Sequence, residues 1–277
     1  MAHSARLAAL LERLASLENL MVAFSGGADS AFLLAAAARA MGPERVEAAT
    51  AVSPSLAPGE LEAAGRFAAS LGVAHHTPST HELDREGYRR NAGDRCFFCK
   101  TELMSVVGPL AEARGIGTVA TGTNADDTVA GFRPGIGAAA RAGAITPLAD
   151  AGLTKAEVRE TSRSWGLSTW DKPAAACLSS RIAYGVEVTA ERLGRVGRAE
   201  TALRRALDEA GIPARNVRVR DLGDEAKVEV DADLVPAVAE RGEVLEAIEG
   251  FETVRLDEQG FRSGAMNELL PNPEHYR

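Results

Sequence analysis

The chain has 277 residues, enough for one large domain or two modest ones. With 45% apolar and 25% charged residues it is composed as a soluble globular protein, and a net charge of −8 argues against a nucleic-acid partner while allowing a small anionic substrate in a local basic pocket. Arg6, Glu12 and Arg13 interrupt the N-terminal apolar period, which excludes a signal-peptide core, and no stretch approaches the ~18–20 uncharged apolar residues of a membrane span. The expectation is a cytoplasmic protein with no membrane partner, whose three cysteines stay reduced.

In chain order, residues 19–23 predict a short buried strand and residues 31–41 an Ala/Leu-rich helix. Between them Ser25-Gly26-Gly27-Ala28-Asp29-Ser30 breaks the strand and re-enters a helix. Gly26 and Gly27 allow crowded or left-handed backbone, and the N–H groups opening the helix point at an anion. Ser25 and Ser30 add hydroxyls, and Asp29 can hold magnesium against phosphates. The GxxxxGK[ST] spacing of a Walker loop is absent. The competing reading is a Gly-rich turn that binds nothing; strand, loop and helix in this order favour the cradle.

Residues 46–52 predict a second strand, 58–71 a helix stopped by Gly72, and 73–77 a third strand. A helix over 101–114, a strand over 118–122 and a helix over 154–165 follow. This alternation predicts an α/β fold, a parallel sheet with helices on both faces, over residues 1–185. Ligands in such sheets bind at the carboxyl ends of strands, here the loops after Ala23, Val52 and Ala120. From about residue 186 the texture changes to a long charged helix over 190–210, alternating strands over 216–222 and 226–230, two helical stretches and a strand over 252–257. Residues 186–277 are therefore expected to form a smaller α+β domain.

Four constellations carry chemistry. Gly122-Thr123-Asn124-Ala125-Asp126-Asp127 follows the fourth strand, where Gly122, Asn124 and Asp127 suit nucleotide or magnesium contact, or else simply cap a helix. Arg133-Pro134-Gly135 offers a cation just beyond. Cys96 and Cys99 stand in a CxxC spacing between Arg95 and Lys100, cations that favour thiolates, while Cys177 stands between Lys172 and Arg181. An odd count with one CxxC favours a metal or a reactive thiol over a disulfide. Inert core thiols, a zinc site, an iron–sulfur cluster on three thiolates, or Cys177 alone as nucleophile all fit this spacing. Arg218 and Arg220 alternate on one predicted strand face, as a phosphate clamp or a solvated face. Glu200, Glu229 and Asp231 are weak candidates for metal ligands, since such carboxylates usually face solvent.

The SGGADS loop resembles the pyrophosphate loop (PP-loop) of the ATP pyrophosphatases. Together with RCFFCK, GTNADD, the RPG turn, KPAAACLSSRIAYG, VRVR and the terminal GFRSGAMNELL, it resembles the LarE family along nearly the whole chain. These are ATP-dependent sulfur transferases of nickel-pincer nucleotide biosynthesis. The chain departs at Ala28, where Val is usual, and at Ala183, where Pro is usual. The resemblance implies an adenine nucleotide alpha hydrolase-like fold, ATP on Ser25 to Ser30 with magnesium near Asp29, and a pyridinium dicarboxylate mononucleotide as substrate. The substrate carboxylate would take AMP from ATP, release pyrophosphate and then accept sulfur. In one branch the cysteine matching Cys177 gives up its own sulfur. Three-cysteine members are taken to hold a 4Fe-4S cluster with a replaceable extra sulfide, and Cys96 and Cys99 favour that route, whose sulfide donor the sequence does not name. The resemblance further implies a homo-oligomer, with Ser180, Arg181, Arg218 and Arg220 holding substrate. A tRNA thiolase would want a basic RNA surface, an amide-forming ligase a glutaminase segment, and a nucleotide sensor no pyrophosphate release.

Overall fold

A computed structural model describes residues 2–129, 134–173, 176–262 and 264–270. Arg133 of the Arg-Pro-Gly turn, Ala174 and Ala175 before Cys177, and Ser263 of the terminal motif lie outside the described residues. The elements run α1 (Ala2–Ala15), β1 (Leu20–Ala23), α2 (Ala28–Met41), β2 (Val46–Ala49), α3 (Glu60–Ser70), β3 (Ala74–His76), α4 (Glu86–Arg89) and α5 (Arg95–Ala113). Next come β4 (Val119–Thr121), α6 (Ala125–Val129), α7 (Pro134–Arg141), α8 (Pro147–Asp150), α9 (Lys155–Ser164) and α10 (Ala190–Glu209). β5 (Val217–Asp221), β6 (Glu225–Val230), α11 (Val235–Glu240) and β7 (Thr253–Leu256) complete the order.

The first sheet has the order β3-β2-β1-β4 with every pairing parallel, and Ile145 adds a bridge outside Ala120. β1 shows why both faces must be covered. Leu20 and Val22 join the larger core with α2 and its neighbours α1 and α9, while Met21 packs with Val107 and Ala111 of α5 on the opposite face. A strand apolar on both sides belongs inside such a sheet, and the α/β class expected from the sequence is the one found. Among the described residues no helix is long and apolar enough to cross a membrane.

The second sheet has the order β5-β6-β7, antiparallel then parallel. Val217, Val219, Val228 and Val230 pack on Leu203 and Leu207 of α10, a core of its own. The Cys177 segment is stitched to this sheet where Ile182 bridges Asp221. Asp221 is fully buried and takes Arg192 at 2.8 Å and Arg195 at 2.6 Å, which compensates a carboxylate that would otherwise be costly to bury.

Two elements differ from the sequence reading. The helix expected over 101–114 starts at Arg95, so the CxxC pair lies on the first turn of α5 rather than in a preceding loop. No Gly or Pro separates Cys96 from Lys100, and nothing stops the helix from growing back to Asp94. The strand expected over 46–52 ends at Ala49; beyond it only Val52 keeps a bridge, to Ser79.

The larger core gives a direct test. Leu34 of α2 is fully buried, and Leu34→Ala should cost about 2–5 kcal/mol, read as a lower midpoint in denaturant unfolding.

Candidate active site

The cleft opens at the carboxyl ends of β1, β2 and β4. Gly26 takes φ +71, the left-handed region that favours glycine, and Gly27 caps α2 in an extended conformation. Ser25 Oγ and Ser30 Oγ lie 3.0 Å apart, and Ser30 Oγ donates to the Gly27 carbonyl at 3.2 Å. Ser25, Gly27, Asp29 and Ser30 line a cavity of about 370 Å³. The amino end of α2 thus opens into a cavity that carries the hydroxyls of Ser25, Ser30, Thr121 and Thr123 together with the carboxylates of Asp29, Glu60, Glu82 and Asp127.

Gly122 supplies the second wall. A Cβ added there would stand 2.8 Å from the nitrogen and Cα of Ser30, so only glycine lets the end of β4 pass the start of α2. Just beyond, Asn124 Oδ1 accepts from Asp127 N at 3.1 Å and Asp127 Oδ2 accepts from Asn124 N at 3.3 Å. The capping role expected for GTNADD is therefore real, and the same residues face the cleft: Asp127 lines it and Asn124 hydrogen-bonds Asp29. Burial pushes the Asp29 carboxyl up; Lys155 opposes the rise and the charge of Asp127 adds to it. Asp29 Oδ1 is buried without a hydrogen-bond partner. Among the described residues no three His, Cys, Asp or Glu stand together as a metal-ion site. Magnesium needs fewer, since it binds through one or two carboxylates with phosphate oxygens and water completing its shell. An orphaned oxygen on Asp29, with Asp127 beside it, fits that donor set.

Cys99 and Cys177 line the same cavity as the loop, while Cys96, three positions before Cys99 on α5, is exposed. Cys177 Sγ lies 2.9 Å from Ser179 Oγ. Burial pushes the Cys99 thiol up, and charge on Cys177, Glu82 and Cys96 pushes it further. The sequence expectation that flanking cations favour thiolates at this pair is outweighed at Cys99. Lys100 lines the cleft with its own ammonium pushed down by burial. Arg95 is buried and committed to Asn91 Oδ1 and, at 2.8 Å, the Ser179 carbonyl.

The predicted substrate residues are gathered behind Cys177, but most are already engaged. Arg181 is buried, grips Glu200 at 2.8 and 3.2 Å, and donates to the Cys177 carbonyl and Ser180 Oγ, each at 3.1 Å. Arg220 grips Glu229 at 2.6 Å and the Ser180 carbonyl at 3.1 Å. Arg218 and Arg220 do share a strand face, and it is buried rather than solvated. Burial and the charges of Arg181, Arg220 and Arg204 bring the Arg218 guanidinium down to about 10, against the pull of Glu200. A second cavity of about 290 Å³ collects Lys172, Arg181, Arg204, Arg215 and Arg218. The carboxylates expected to face solvent do not: Glu200 and Glu229 are buried partners of these arginines, and Asp231 accepts the Arg215 and Asn216 amides at 2.7 and 2.9 Å.

Several site residues carry no signal readable in the sequence. Lys172 Nζ donates to the Gly26 carbonyl, although its motif gave it only as a flanking cation. Ser55 Oγ donates to Glu82 at 2.8 Å and meets Tyr88 Oη at 2.5 Å; Tyr88 in turn hydrogen-bonds Ser179, the neighbour of the Cys177 sulfur. A larger groove of about 730 Å³ along α10 holds neither the loop nor a thiol.

A parallel sheet whose central strand runs into a glycine-rich loop at the amino end of a helix defines a PP-loop-like α/β protein. No protein-family model matches the chain. It is 42% identical over 259 residues to an uncharacterized protein of Synechocystis sp., covering 92% of this chain and 94% of that one. It is 32% identical over 266 residues to pyridinium-3,5-bisthiocarboxylic acid mononucleotide synthase of Lactiplantibacillus plantarum, covering 95% and 94%. An uncharacterized protein of Methanocaldococcus jannaschii matches at 27% over 176 residues, 63% of this chain and 66% of its own. The chain belongs to the LarE family, that of the Lactiplantibacillus synthase.

The close contact at Gly122 is testable without substrate. Gly122→Ala should destabilise by about 1–3 kcal/mol through overpacking against α2. Gly117→Ala, which meets nothing within 4 Å, should leave the unfolding midpoint nearly unchanged.

Proposed function

We propose that this protein is an ATP-dependent sulfurtransferase acting on a pyridinium dicarboxylate mononucleotide, with the thiocarboxylate named for its Lactiplantibacillus relative as the product. One observation carries the reading: the anion cradle and the sulfurs of Cys99 and Cys177 open into a single cavity. A cradle alone would serve any nucleotide. A thiol beside it points to chemistry in which an activated carbonyl and a sulfur meet.

The residues assign the steps. Ser25, Gly27 and Ser30 hold the pyrophosphate end of ATP at the amino terminus of α2. The substrate carboxylate attacks the α-phosphorus, pyrophosphate leaves, and an acyl-adenylate forms. Asp29 and Asp127 would hold magnesium, which offsets the charge on the leaving group. A sulfur nucleophile then adds to the carbonyl, AMP departs, and the carboxylate oxygen has been exchanged for sulfur. The surplus of cations around Arg218, with Arg204 and Arg215 at the cavity wall, suits the substrate phosphate. Arg181, Arg220 and Ser180 hold the Cys177 segment behind it.

Two sulfur sources follow from the thiols. Cys96, Cys99 and Cys177 would hold a 4Fe-4S cluster, which supplies a carrier for replaceable sulfide. The CxxC turn of α5 and the opening of Cys99 and Cys177 into one cavity support this route, although the three thiols do not stand together as a metal site among the described residues. If Cys177 instead gave its own sulfur, its Cα–H and Cβ–S bonds would break and leave dehydroalanine.

Anaerobically purified protein given ATP and the dicarboxylate mononucleotide should release pyrophosphate and AMP in equal amounts, with a product heavier by the exchange of oxygen for sulfur. Cys177→Ala should keep pyrophosphate release and lose the sulfur product. About four irons per chain with repeated turnover would mark the cluster route. Colourless protein that loses the elements of hydrogen sulfide at Cys177 would mark the sacrificial one. ATP binding without pyrophosphate release would sink the enzymatic reading.

A further inference from the structure

The segment carrying Cys177 also reaches back to the nucleotide loop. Lys172 Nζ donates to the Gly26 carbonyl at 3.1 Å and to Glu60 Oε2 at 2.6 Å. Both side chains of this ion pair are largely withdrawn from solvent. Glu60, in the first turn of α3, lines the nucleotide cleft and also the basic cavity behind it, as does Ala176. The Lys172–Glu60 pair therefore stands on the wall between the two.

We propose that Lys172 is a positioning residue that fixes the Gly26–Gly27 peptide with its N–H turned to the nucleotide phosphates. A trans peptide points its C=O and N–H in opposite directions. Gly26 sits at φ +71 and lacks a Cβ, so local sterics alone set the orientation of the following peptide only loosely. Lys172 holds the carbonyl oxygen on the outer side. On the inner side the Gly27 N–H has only Ser25 Oγ, at 3.4 Å, a long contact that leaves it available to an arriving phosphate oxygen. Turned over, the same peptide would present a carbonyl oxygen to the phosphates in place of a donor. Glu60 steadies the ammonium and offsets its charge, so the contribution of Lys172 is orientation more than added positive potential. The segment that bears the sulfur thereby sets the shape of the loop that activates its partner.

The inference rests on reading Ser25 to Ser30 as an ATP site, and calorimetry separates the two. ATP and AMP are titrated into the wild-type protein, Lys172→Met and Lys172→Arg, with thermal unfolding as a check on folding. Lys172→Met should weaken ATP by about 10- to 100-fold, the worth of one hydrogen bond to a charged group, and should weaken AMP, which lacks the pyrophosphate, by no more than about 2-fold. Lys172→Arg keeps a donor in reach of the Gly26 carbonyl and should recover most of the ATP affinity. Unchanged ATP affinity in Lys172→Met, an equal loss for ATP and AMP, or no recovery in Lys172→Arg would overturn the inference while leaving the ATP site standing. A wild-type protein that fails to bind ATP would overturn the ATP reading itself.

Discussion

The cleft depends on one steric constraint, the passage of the end of β4 across the first turn of α2. At Gly122 the two backbones come so close that one more carbon would press on Ser30. That approach brings Asn124 against Asp29 and sets Asp127 on the cleft wall. A parallel sheet makes such convergence available, because all its strands deliver their following loops to one edge. What this chain adds is the glycine that lets two of those loops touch. The carboxylates could not face a ligand on α2 if β4 stood off by the width of a side chain.

The two sides of the Cys177 segment carry charge of opposite sense. On the cleft side Asp29 is raised by burial and keeps an oxygen without a donor, with a second carboxylate nearby. On the other side Arg181 and Arg220 each grip a buried glutamate, and burial with the charges of Arg181, Arg220 and Arg204 holds Arg218 below its ordinary value against the pull of Glu200. Buried charge is tolerated when its partner arrives in the same volume. The cleft wants a cation and the rear cavity wants an anion, the two demands a magnesium-bound nucleotide and a phosphorylated substrate would meet.

Sequence pattern made the sheet, the cradle and the cation pair on β5 legible because each rests on local periodicity or on glycine at a fixed offset. Met21 facing away from Leu20 and Val22 could be read from alternation alone, and so could the shared face of Arg218 and Arg220. The burial of that face could not, because it depends on Glu200 and Glu229 arriving from α10 and β6. Helix boundaries failed where no breaker marks them, as at the start of α5. The partners of Lys172, Ser55 and Tyr88 were also beyond reach: each contact spans at least 27 positions of the chain, and nothing in the local sequence distinguishes these side chains from ordinary polar ones.

The thiols add a constraint of their own. Burial and neighbouring charge push the Cys99 thiol up, and a thiol is a weak nucleophile beside its thiolate. An uncharged thiol attacks an ordinary carboxylate at no useful rate, so the reactivity has to come from the electrophile or from a metal that binds the thiolate and displaces the proton to solvent. On the proposed reading an acyl-adenylate supplies the first, and that intermediate forms only where ATP lies. The sulfur and the nucleotide loop must then be held at a fixed separation. Arg181 and Arg220 fix the Cys177 segment from behind, and Lys172 ties the same segment to Gly26 in front. Contacts on both sides keep the Cys177 sulfur beside the loop, and proximity to an activated carbonyl supplies rate without any special nucleophilicity.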